Sequence, residues 1–161
     1  PNAFALPGGL VAVTDGLLEM VDTEIGMAFV LAHELGHHQS RHALKRLGRT
    51  LVTRAALAVV SGAGDLSMLD NGLTLAGLAH TRSQEREADV YALDLVHRTY
   101  GTTAGAFEFF ERVHALQGDG SRLASMLHSH PLTEDRIADL HARAADLPVT
   151  APRDLSAPQA F

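Results

Sequence analysis

A run of apolar residues at helical spacing, with an HExxH sequence inside it, constrains this chain more than any other feature. Over residues 25–32 the apolar side chains recur at intervals of three and four, which is typical of an amphipathic helix. Asp22 is a suitable N-cap before this run, and Gly48 is a suitable stop after it. The sequence therefore predicts a central helix that continues to Leu47.

The HExxH sequence offers two metal ligands and a base. Its histidines, His33 and His37, are four residues apart, so a helix places both imidazoles on one face, about one turn apart. Glu34 lies beside that face, where its carboxylate can reach a metal-bound water without being a ligand. Zinc lowers the pKa of such a water toward ~7, so the expected reaction is amide hydrolysis. The alternative is that both are ordinary helix histidines.

A catalytic zinc ion needs three protein ligands and one open position, so a third ligand must come from elsewhere. The pattern HExxHxxGxxH does not supply it, because Ser40 replaces its glycine and Ala43 replaces its third histidine. His42 misses that register by one residue. It forms a second i, i+4 pair with His38, but Gln39 follows His38 and cannot act as a base. We expect surface packing for this second pair.

A better candidate for the third ligand lies in the segment EREAD, on a predicted helix from Thr81 to Tyr100. Glu85 and Asp89 are four residues apart and share one face of that helix. Glu85 can then bind the metal, while Asp89 accepts a hydrogen bond from the far nitrogen of a ligand histidine and fixes its tautomer. The alternative for an isolated segment of this kind is a solvated charged face.

The remaining segments predict a small sheet followed by helices. Residues 2–13 alternate around a Pro-Gly-Gly turn at 7–9 and predict two short strands in a hairpin. Thr81 and Gln84 have the spacing of a capping box, and Gly101 follows the same helix as a stop. Helices are also predicted over 103–116 and 133–145, and residues 49–80 are predicted as two short helices or a mobile flap. We predict one domain over 1–147 and a loosely ordered, proline-containing tail over 148–161.

Composition limits the chemistry that this chain can perform. Its 161 residues are 46% hydrophobic and 20% charged, which excludes a disordered polymer or a fibrous repeat. The net charge of −6, without a long basic run, argues against nucleic acid as a partner. Cysteine is absent, so a metal must bind His, Asp or Glu. No stretch is long enough to cross a bilayer and no signal peptide is evident, although a start at Pro1 is compatible with a processed product or an excised domain.

Four motifs in order resemble those of one known family. The segments NAFALPGG, LAHELGHHQSRH, SQEREAD and SHPLTEDRI are similar to those of the HtpX- and BepA-like zinc metalloproteases, a family that includes the CAAX prenyl proteases and the OMA-type proteases. The resemblance extends to about Ala145. It implies an α+β, zincin-like and mostly helical domain with a small N-terminal sheet, and one Zn²⁺ per chain. It also implies that Glu85 is the third zinc ligand.

The resemblance also assigns a place for the substrate. It implies that the strand containing Asn2, Ala3 and Phe4 is the edge on which an extended substrate lies, main chain to main chain. The aliphatic segment 49–80 is either a membrane-facing flap or a pair of helices that covers the core. Two features of relatives, membrane-spanning helices and a helical repeat domain after the protease, have no counterpart in this sequence.

The SHP segment resembles a loop whose histidine can reach the metal in BepA-like relatives. His130 would then be a fourth ligand that blocks the water position and makes the enzyme latent, or it would stabilise the oxyanion of the reaction. The alternative is a plain loop histidine. His128 is a weaker substitute for His130, and Arg136 is expected to orient acidic partners near the site.

These observations favour a zinc endopeptidase of the bacterial periplasm or cell envelope, membrane-associated in its parent protein. Its expected partners are unfolded or membrane-associated protein substrates and a membrane surface. The main alternative is a catalytically silent, metal-binding chaperone or assembly module with the same fold. Glu34 favours the enzyme, because neither that module nor a closed structural zinc site uses a base beside the water.

Overall fold

A computed structural model describes residues 2–6, 10–61, 80–116 and 124–151. Within these ranges the chain is mostly helical, with one small sheet near its start. The elements in order are β1 (Ala3–Leu6), β2 (Leu10–Val13), α1 (Asp15–Leu18), α2 (Glu24–Gln39), α3 (His42–Ser61), α4 (Arg82–Tyr100), α5 (Glu108–Ala115), α6 (Ala124–Ser129) and α7 (Glu134–Ala145).

The two strands form the predicted hairpin. β1 and β2 pair antiparallel, with Ala3 opposite Val13 and Leu6 opposite Leu10. The register continues one residue beyond the strands, because the Thr14 backbone N–H donates to the Asn2 carbonyl at 3.0 Å. The predicted Pro-Gly-Gly turn lies outside the described residues.

Helices α2 and α4 pack directly against each other and form the centre of the domain. Their backbones come close at Gly36, where an added Cβ atom would lie 3.0 Å from the Cα of Ala88. The predicted capping box of α4 is confirmed, because the Thr81 side chain accepts from the Gln84 N–H and the Gln84 side chain accepts from the Thr81 N–H. Gly101 ends the helix as predicted, in the left-handed conformation with φ 71°.

The hydrophobic core surrounds Phe29 of α2, which is fully buried. The Phe29 ring meets the rings of Phe107 and Phe110 edge-on, at centroid distances of 5.3 and 5.5 Å. Such edge-to-face pairs stabilise a core by more than their buried area alone. The other large buried side chains of this cluster are Leu17, Val30, Leu93, Val96, Phe109, Val113, Leu132 and Leu140.

The predicted bounds of the central helix are wrong at both ends. Its N-cap is Thr23, whose side chain accepts from the Gly26 N–H, while Asp22 pairs with Arg112. The helix ends at Gln39 instead of Leu47, because Arg41 adopts a positive φ of 52° and redirects the chain.

The helix α3 that follows this break overturns two further expectations. Gly48 lies inside α3 and is not a helix stop, because the helix continues to Ser61. Residues 49–61 are therefore part of one helix, and the two short helices predicted there are wrong. The rest of the predicted flap, residues 62–79, lies outside the described residues.

The C-terminal half follows the prediction more closely. The helix predicted over 103–116 is confined to α5, because residues 104–107 form turns. Thr133 caps α7, which ends at Ala145 as predicted. After α7 the Thr150 N–H donates to the Gly101 carbonyl at 2.8 Å. Residues 152–161 lie outside the described part, so the predicted tail stays a prediction.

None of the helices in the described ranges is both long enough and apolar enough to span a membrane.

We predict that Gly36→Ala lowers the free energy of unfolding by about 1–3 kcal/mol, because the new methyl group overpacks the contact between α2 and α4. The added Cβ would lie 3.0 Å from the Cα and 3.2 Å from the carbonyl oxygen of Ala88. Urea denaturation measures the effect.

The matched control is Gly48→Ala, also within a helix. A Cβ atom at Gly48 meets nothing within 4 Å, so this variant should gain about 0.5–1 kcal/mol from helix propensity. If Gly36→Ala is stabilised as much as Gly48→Ala, the close approach of the two helices does not constrain the domain.

Candidate metal centre

Helices α2 and α4 bring His33, His37 and Glu85 together in their interface. The Nε2 atoms of His33 and His37 are 3.0 Å apart, as expected for an i, i+4 pair on one helical face. Glu85 faces them from the first turn of α4, with Oε1 3.2 Å from His37 Nε2 and Oε2 3.5 Å from His33 Nε2. All three side chains are buried.

His130, in the segment between α6 and α7, is the fourth member of this group. Its Nδ1 atom lies 3.3 Å from Glu85 Oε1 and 3.4 Å from His33 Nε2. The four donor atoms of His33, His37, Glu85 and His130 all lie within 4.8 Å of one another. The structure thus brings His130, predicted as a fourth ligand or as an oxyanion-stabilising residue, into the set of potential metal donors.

The spacing and chemistry of these donors fit a zinc ion. A tetrahedral zinc ion with bonds of about 2.0–2.1 Å separates its ligand atoms by about 3.3 Å. Five of the separations between these donor atoms run from 3.0 Å to 3.5 Å. Imidazole nitrogens and a carboxylate oxygen are also donors that zinc accepts. The residues present therefore fit the predicted metal.

Glu34 lies next to the donor group but points to its rim. Its Oε1 atom is 3.4 Å from Nε2 of His130, and its side chain is 7% exposed. The two nitrogens of the His130 ring therefore face different partners, Nδ1 the donor group and Nε2 the Glu34 carboxylate. The predicted base and the predicted loop histidine are in direct contact.

Asp89 and Arg136 support the ligands from behind. His33 Nδ1 lies 2.9 Å from Asp89 Oδ1, on the side of the ring opposite the donor group. Arg136 forms two hydrogen bonds of 2.8 Å with Asp89 and approaches Glu85 Oε2 at 2.7 Å. Its Nη1 also donates to the Pro131 carbonyl at 2.8 Å, which ties the segment next to His130 to the same guanidinium. The structure therefore places both Asp89 and Arg136 beside the donor group.

The electrostatics of the site favour a positive charge at its centre. Burial lowers the pKa of His33, but hydrogen bonds with Asp89 and Glu85 outweigh it and raise that pKa to about 9. Burial would raise the pKa of Glu85, but hydrogen bonds from His130, His33 and His37 hold it well below its usual range. Burial is the main cause that lowers the pKa of His37 to about 4.

The buried charges of the site do not cancel among themselves. Glu34, Glu85 and Asp89 are three buried carboxylates, and the buried guanidinium of Arg136 contacts two of them, Glu85 and Asp89. Burial alone would raise the pKa of Asp89, but the hydrogen bonds from His33 and Arg136 lower it. With neutral imidazoles, a net negative charge is left that a divalent cation would compensate.

A cleft opens beside His33, Glu34 and His130. The predicted substrate strand borders it, since Asn2 and Ala3 are buried in its wall. Phe4 lies in β1, but its side chain is outside the described part of the structure. The apolar residues of the wall are Leu17, Val30, Phe109, Phe110 and Leu132.

Sequence reasoning missed a second histidine group next to His37. The surface packing predicted for His42 is wrong, because His42 is 1% exposed and its Nδ1 lies 2.9 Å from His37 Nδ1. His80 stacks on His37 with ring centroids 3.8 Å apart. The helix breaks after Gln39, so His42 does not share a helical face with His38. The contact between His42 and His37 therefore could not be predicted from helical spacing. His38 is exposed as predicted.

His128 does not take the place of His130. It is exposed near the end of α6 and is not among the residues that could hold a metal.

Comparison with known proteins finds a peptidase family and relatives that are named as metalloproteases. The family model described as "Peptidase family M48" matches residues 1–144. The mitochondrial metalloendopeptidase OMA1 of Schizosaccharomyces pombe is 34% identical over 143 residues, covering 85% of this chain and 42% of the relative. Metalloprotease YcaL of Escherichia coli is 35% identical over 152 residues, covering 89% and 58%. The beta-barrel assembly-enhancing protease of Escherichia coli is 31% identical over 157 residues, covering 89% and 32%. The chain thus spans less than two thirds of the length of each of these relatives.

We predict that Arg136→Ala lowers the free energy of unfolding by about 3–5 kcal/mol, because it leaves the carboxylates of Asp89 and Glu85 buried without their cation. Chemical denaturation of the zinc-free domain measures the loss.

The matched control is Arg86→Ala, which breaks another ion pair between α4 and α7. The Arg86–Asp139 pair is 3.0 Å long and about half exposed on both sides, so its loss should cost less than about 1 kcal/mol. Equal losses in the two variants would contradict the supporting role of Arg136.

Proposed function

This chain belongs to peptidase family M48, and on that premise we propose that its domain hydrolyses internal peptide bonds with one zinc ion held by His33, His37 and Glu85. The predicted family and the predicted enzyme class, a metalloendopeptidase, are confirmed by the matched family and its named relatives. The observation that carries the proposal is the group of four donor atoms within 4.8 Å of one another, with the Glu34 carboxylate beside it.

Each residue of the site has a distinct part in the proposed reaction. A zinc ion in the donor set supplies Lewis acidity to water and to the substrate carbonyl. Glu34 accepts the proton of the attacking water and returns it to the leaving amine nitrogen, as a general base and then a general acid. Asp89 holds the proton of His33 on Nδ1, which keeps Nε2 free to bind the metal. Arg136 keeps Asp89 and Glu85 in place.

We propose that an extended substrate adds to the outer edge of β1. Both backbone groups of Asn2 bond to Thr14, on the side of β2. Because successive backbone groups of a strand point to opposite edges, the Ala3 N–H faces outward, where it donates to Asn2 Oδ1 at 2.9 Å. A substrate carbonyl could replace this side-chain oxygen. The apolar cleft beside Glu34 would then receive an apolar side chain of the substrate.

The proposed substrates are unfolded or membrane-associated proteins of the bacterial cell envelope. A main-chain edge recognises extended peptides of many sequences, which suits unfolded chains. The Escherichia coli relative whose name refers to beta-barrel assembly supports an envelope location. The zincin-like, α+β classification of the fold is part of the same proposal. The alternative of a silent chaperone is not favoured, because the relatives are named as proteases and Glu34 is in place.

We propose that His130 keeps the enzyme latent. Its Nδ1 lies among the metal donors and its Nε2 contacts Glu34, so one ring blocks both the fourth position of the metal and the base. An oxyanion-stabilising residue would instead leave the base free for water. The contact with Glu34 therefore favours latency over the oxyanion role.

We propose that α3 binds an anionic membrane surface. Among the side chains of α3 that the structure describes, the large exposed apolar ones fall within an arc of about 140° when successive residues are placed ~100° apart. They are Leu44, Leu47, Leu51, Val52 and Val59, all more than half exposed. Lys45 and Arg54 flank this arc, Arg46 and Arg49 lie behind it, and residues 42–61 contain no acidic side chain. This basic segment contrasts with the whole chain, which has a net charge of −6. A basic amphipathic helix is typical of a segment that binds anionic lipid.

We predict that Glu34→Gln retains zinc but loses at least about 100-fold in hydrolysis, because the amide cannot accept the water proton. Loss of a residue that only hydrogen-bonds to a metal ligand typically weakens metal binding 10–100-fold. Glu85→Ala removes a ligand itself and should therefore weaken zinc binding by more than this. Casein cleavage and zinc titration separate the two effects. Equal loss of zinc in both variants would contradict the assigned roles.

We predict that His130→Ala raises the casein-cleaving activity of the zinc-loaded domain several-fold, because it frees the fourth position and Glu34 together. His128→Ala is the matched control, since this exposed histidine lies two residues away and should leave the rate unchanged. A fall in activity for His130→Ala would assign the residue to the oxyanion.

We predict that Leu47→Glu combined with Leu51→Glu weakens binding to phosphatidylglycerol-containing vesicles at least tenfold, because burial of each leucine contributes about 1.5–3 kcal/mol. Co-sedimentation measures binding, and vesicles of phosphatidylcholine alone should bind little. Val149→Glu, at a more exposed apolar position far along the chain, is the control. Unchanged binding of the double variant, or equal binding to neutral vesicles, would refute the membrane role of α3.

A further inference from the structure

We infer that His42 and Glu87 position the metal ligand His37 through a chain of hydrogen bonds. His37 Nδ1 lies 2.9 Å from His42 Nδ1, and His42 Nε2 lies 3.2 Å from Glu87 Oε2. Ser40 completes the chain, because its hydroxyl donates to Glu87 Oε1. The four residues come from α2, the break after it, α3 and α4.

The direction of each hydrogen bond follows from the metal site. Because His37 Nε2 faces the metal donors, a neutral His37 ring carries its proton on Nδ1 and donates it to His42 Nδ1. His42 then carries its own proton on Nε2 and donates it to the Glu87 carboxylate. Each atom has one role, so the chain fixes both the tautomer and the plane of the His37 ring.

The surroundings of His42 indicate that this arrangement is built into the fold. The ring is 1% exposed, although a histidine after a helix break would ordinarily be solvated. The left-handed Arg41 turns the chain so that the first residue of α3 faces back toward α2. His80 covers His37 from another side, with the two rings stacked at 3.8 Å. His37 is therefore held by a hydrogen bond and by stacking.

The two histidine ligands are supported in different ways. His33 Nδ1 lies 2.9 Å from the buried carboxylate of Asp89, whereas His37 Nδ1 is linked to the carboxylate of Glu87 through the ring of His42. The Glu87 side chain is 55% exposed, so the chain of hydrogen bonds from His37 through His42 to Glu87, here called the relay, connects the metal ligand to the protein surface. Groups that contact Glu87 at the surface would therefore affect the orientation of the His37 ring, although they touch neither the metal nor the substrate. His42 and Glu87 are thus positioning residues for the proposed reaction.

The test measures metal binding as well as activity. This inference rests on the proposed function, because it requires that His37 binds the metal. Zinc affinity is measured by competition with a chromophoric chelator, and cobalt(II) absorption reports the geometry of the site. If the wild-type domain binds neither metal, the proposed function fails. If it binds them and the variants below match it, the relay alone fails.

Four variants separate positioning from general stability. His42→Phe keeps the ring but removes the acceptor, and should weaken zinc binding 10–100-fold and shift the cobalt spectrum. His42→Asn keeps an acceptor near the Nδ1 position, and should recover most of that affinity. Glu87→Ala should weaken zinc binding several-fold in the wild type but have no effect in the His42→Asn background, where the link is already broken. Glu111→Ala is the matched control, because Glu111 is an exposed glutamate bonded to His141 at 2.7 Å.

If His42 cannot be replaced without unfolding the domain, variants of the exposed Glu87 provide the test. Should His42→Phe fail to fold, Glu87→Ala and Glu111→Ala are compared directly, since both lie at the surface. A loss of zinc affinity and a shifted cobalt spectrum confined to Glu87→Ala support the relay. Identical values for the two alanine variants overturn it.

Discussion

The burial of negative charge between α2 and α4 determines how the rest of the domain is arranged. Glu34, Glu85 and Asp89 are all buried near this interface, where uncompensated carboxylates would be strongly destabilising. The guanidinium of Arg136 contacts Glu85 and Asp89, and a cation among the donor atoms would compensate further negative charge. The site is therefore part of what holds the two central helices together.

The close contact of α2 and α4 determines how near the buried carboxylates lie to the histidines. Gly36 lets α2 approach the backbone of α4 at Ala88, which places the HExxH face against the first turns of α4. Glu85 also lies in the first turn of α4, where the helix dipole favours negative charge, and Asp89 follows one turn later. Neither residue could reach its histidine partner if the two backbones were held apart by larger side chains.

Much of the site could be predicted from the sequence because its parts are local. The pairs His33 and His37, and Glu85 and Asp89, follow from helical spacing alone, and the caps at Thr81 and Gly101 are set by neighbouring residues. The end of the central helix at Gln39 could not be predicted in this way. It depends on the left-handed conformation of Arg41 and on the long-range bonds of His42, and neither leaves a periodic signal.

The donor atoms of the site come from three separate parts of the chain, and this has a consequence for folding. His33 and His130 are 97 residues apart, so their contact requires the closure of a long loop, whereas His33 and His37 meet as soon as α2 forms. A cation bound by all of them cross-links these segments in a protein that has no cysteine. Metal binding would thus stabilise the native topology itself, as a disulfide does in a secreted domain, and its free energy would add to that of folding.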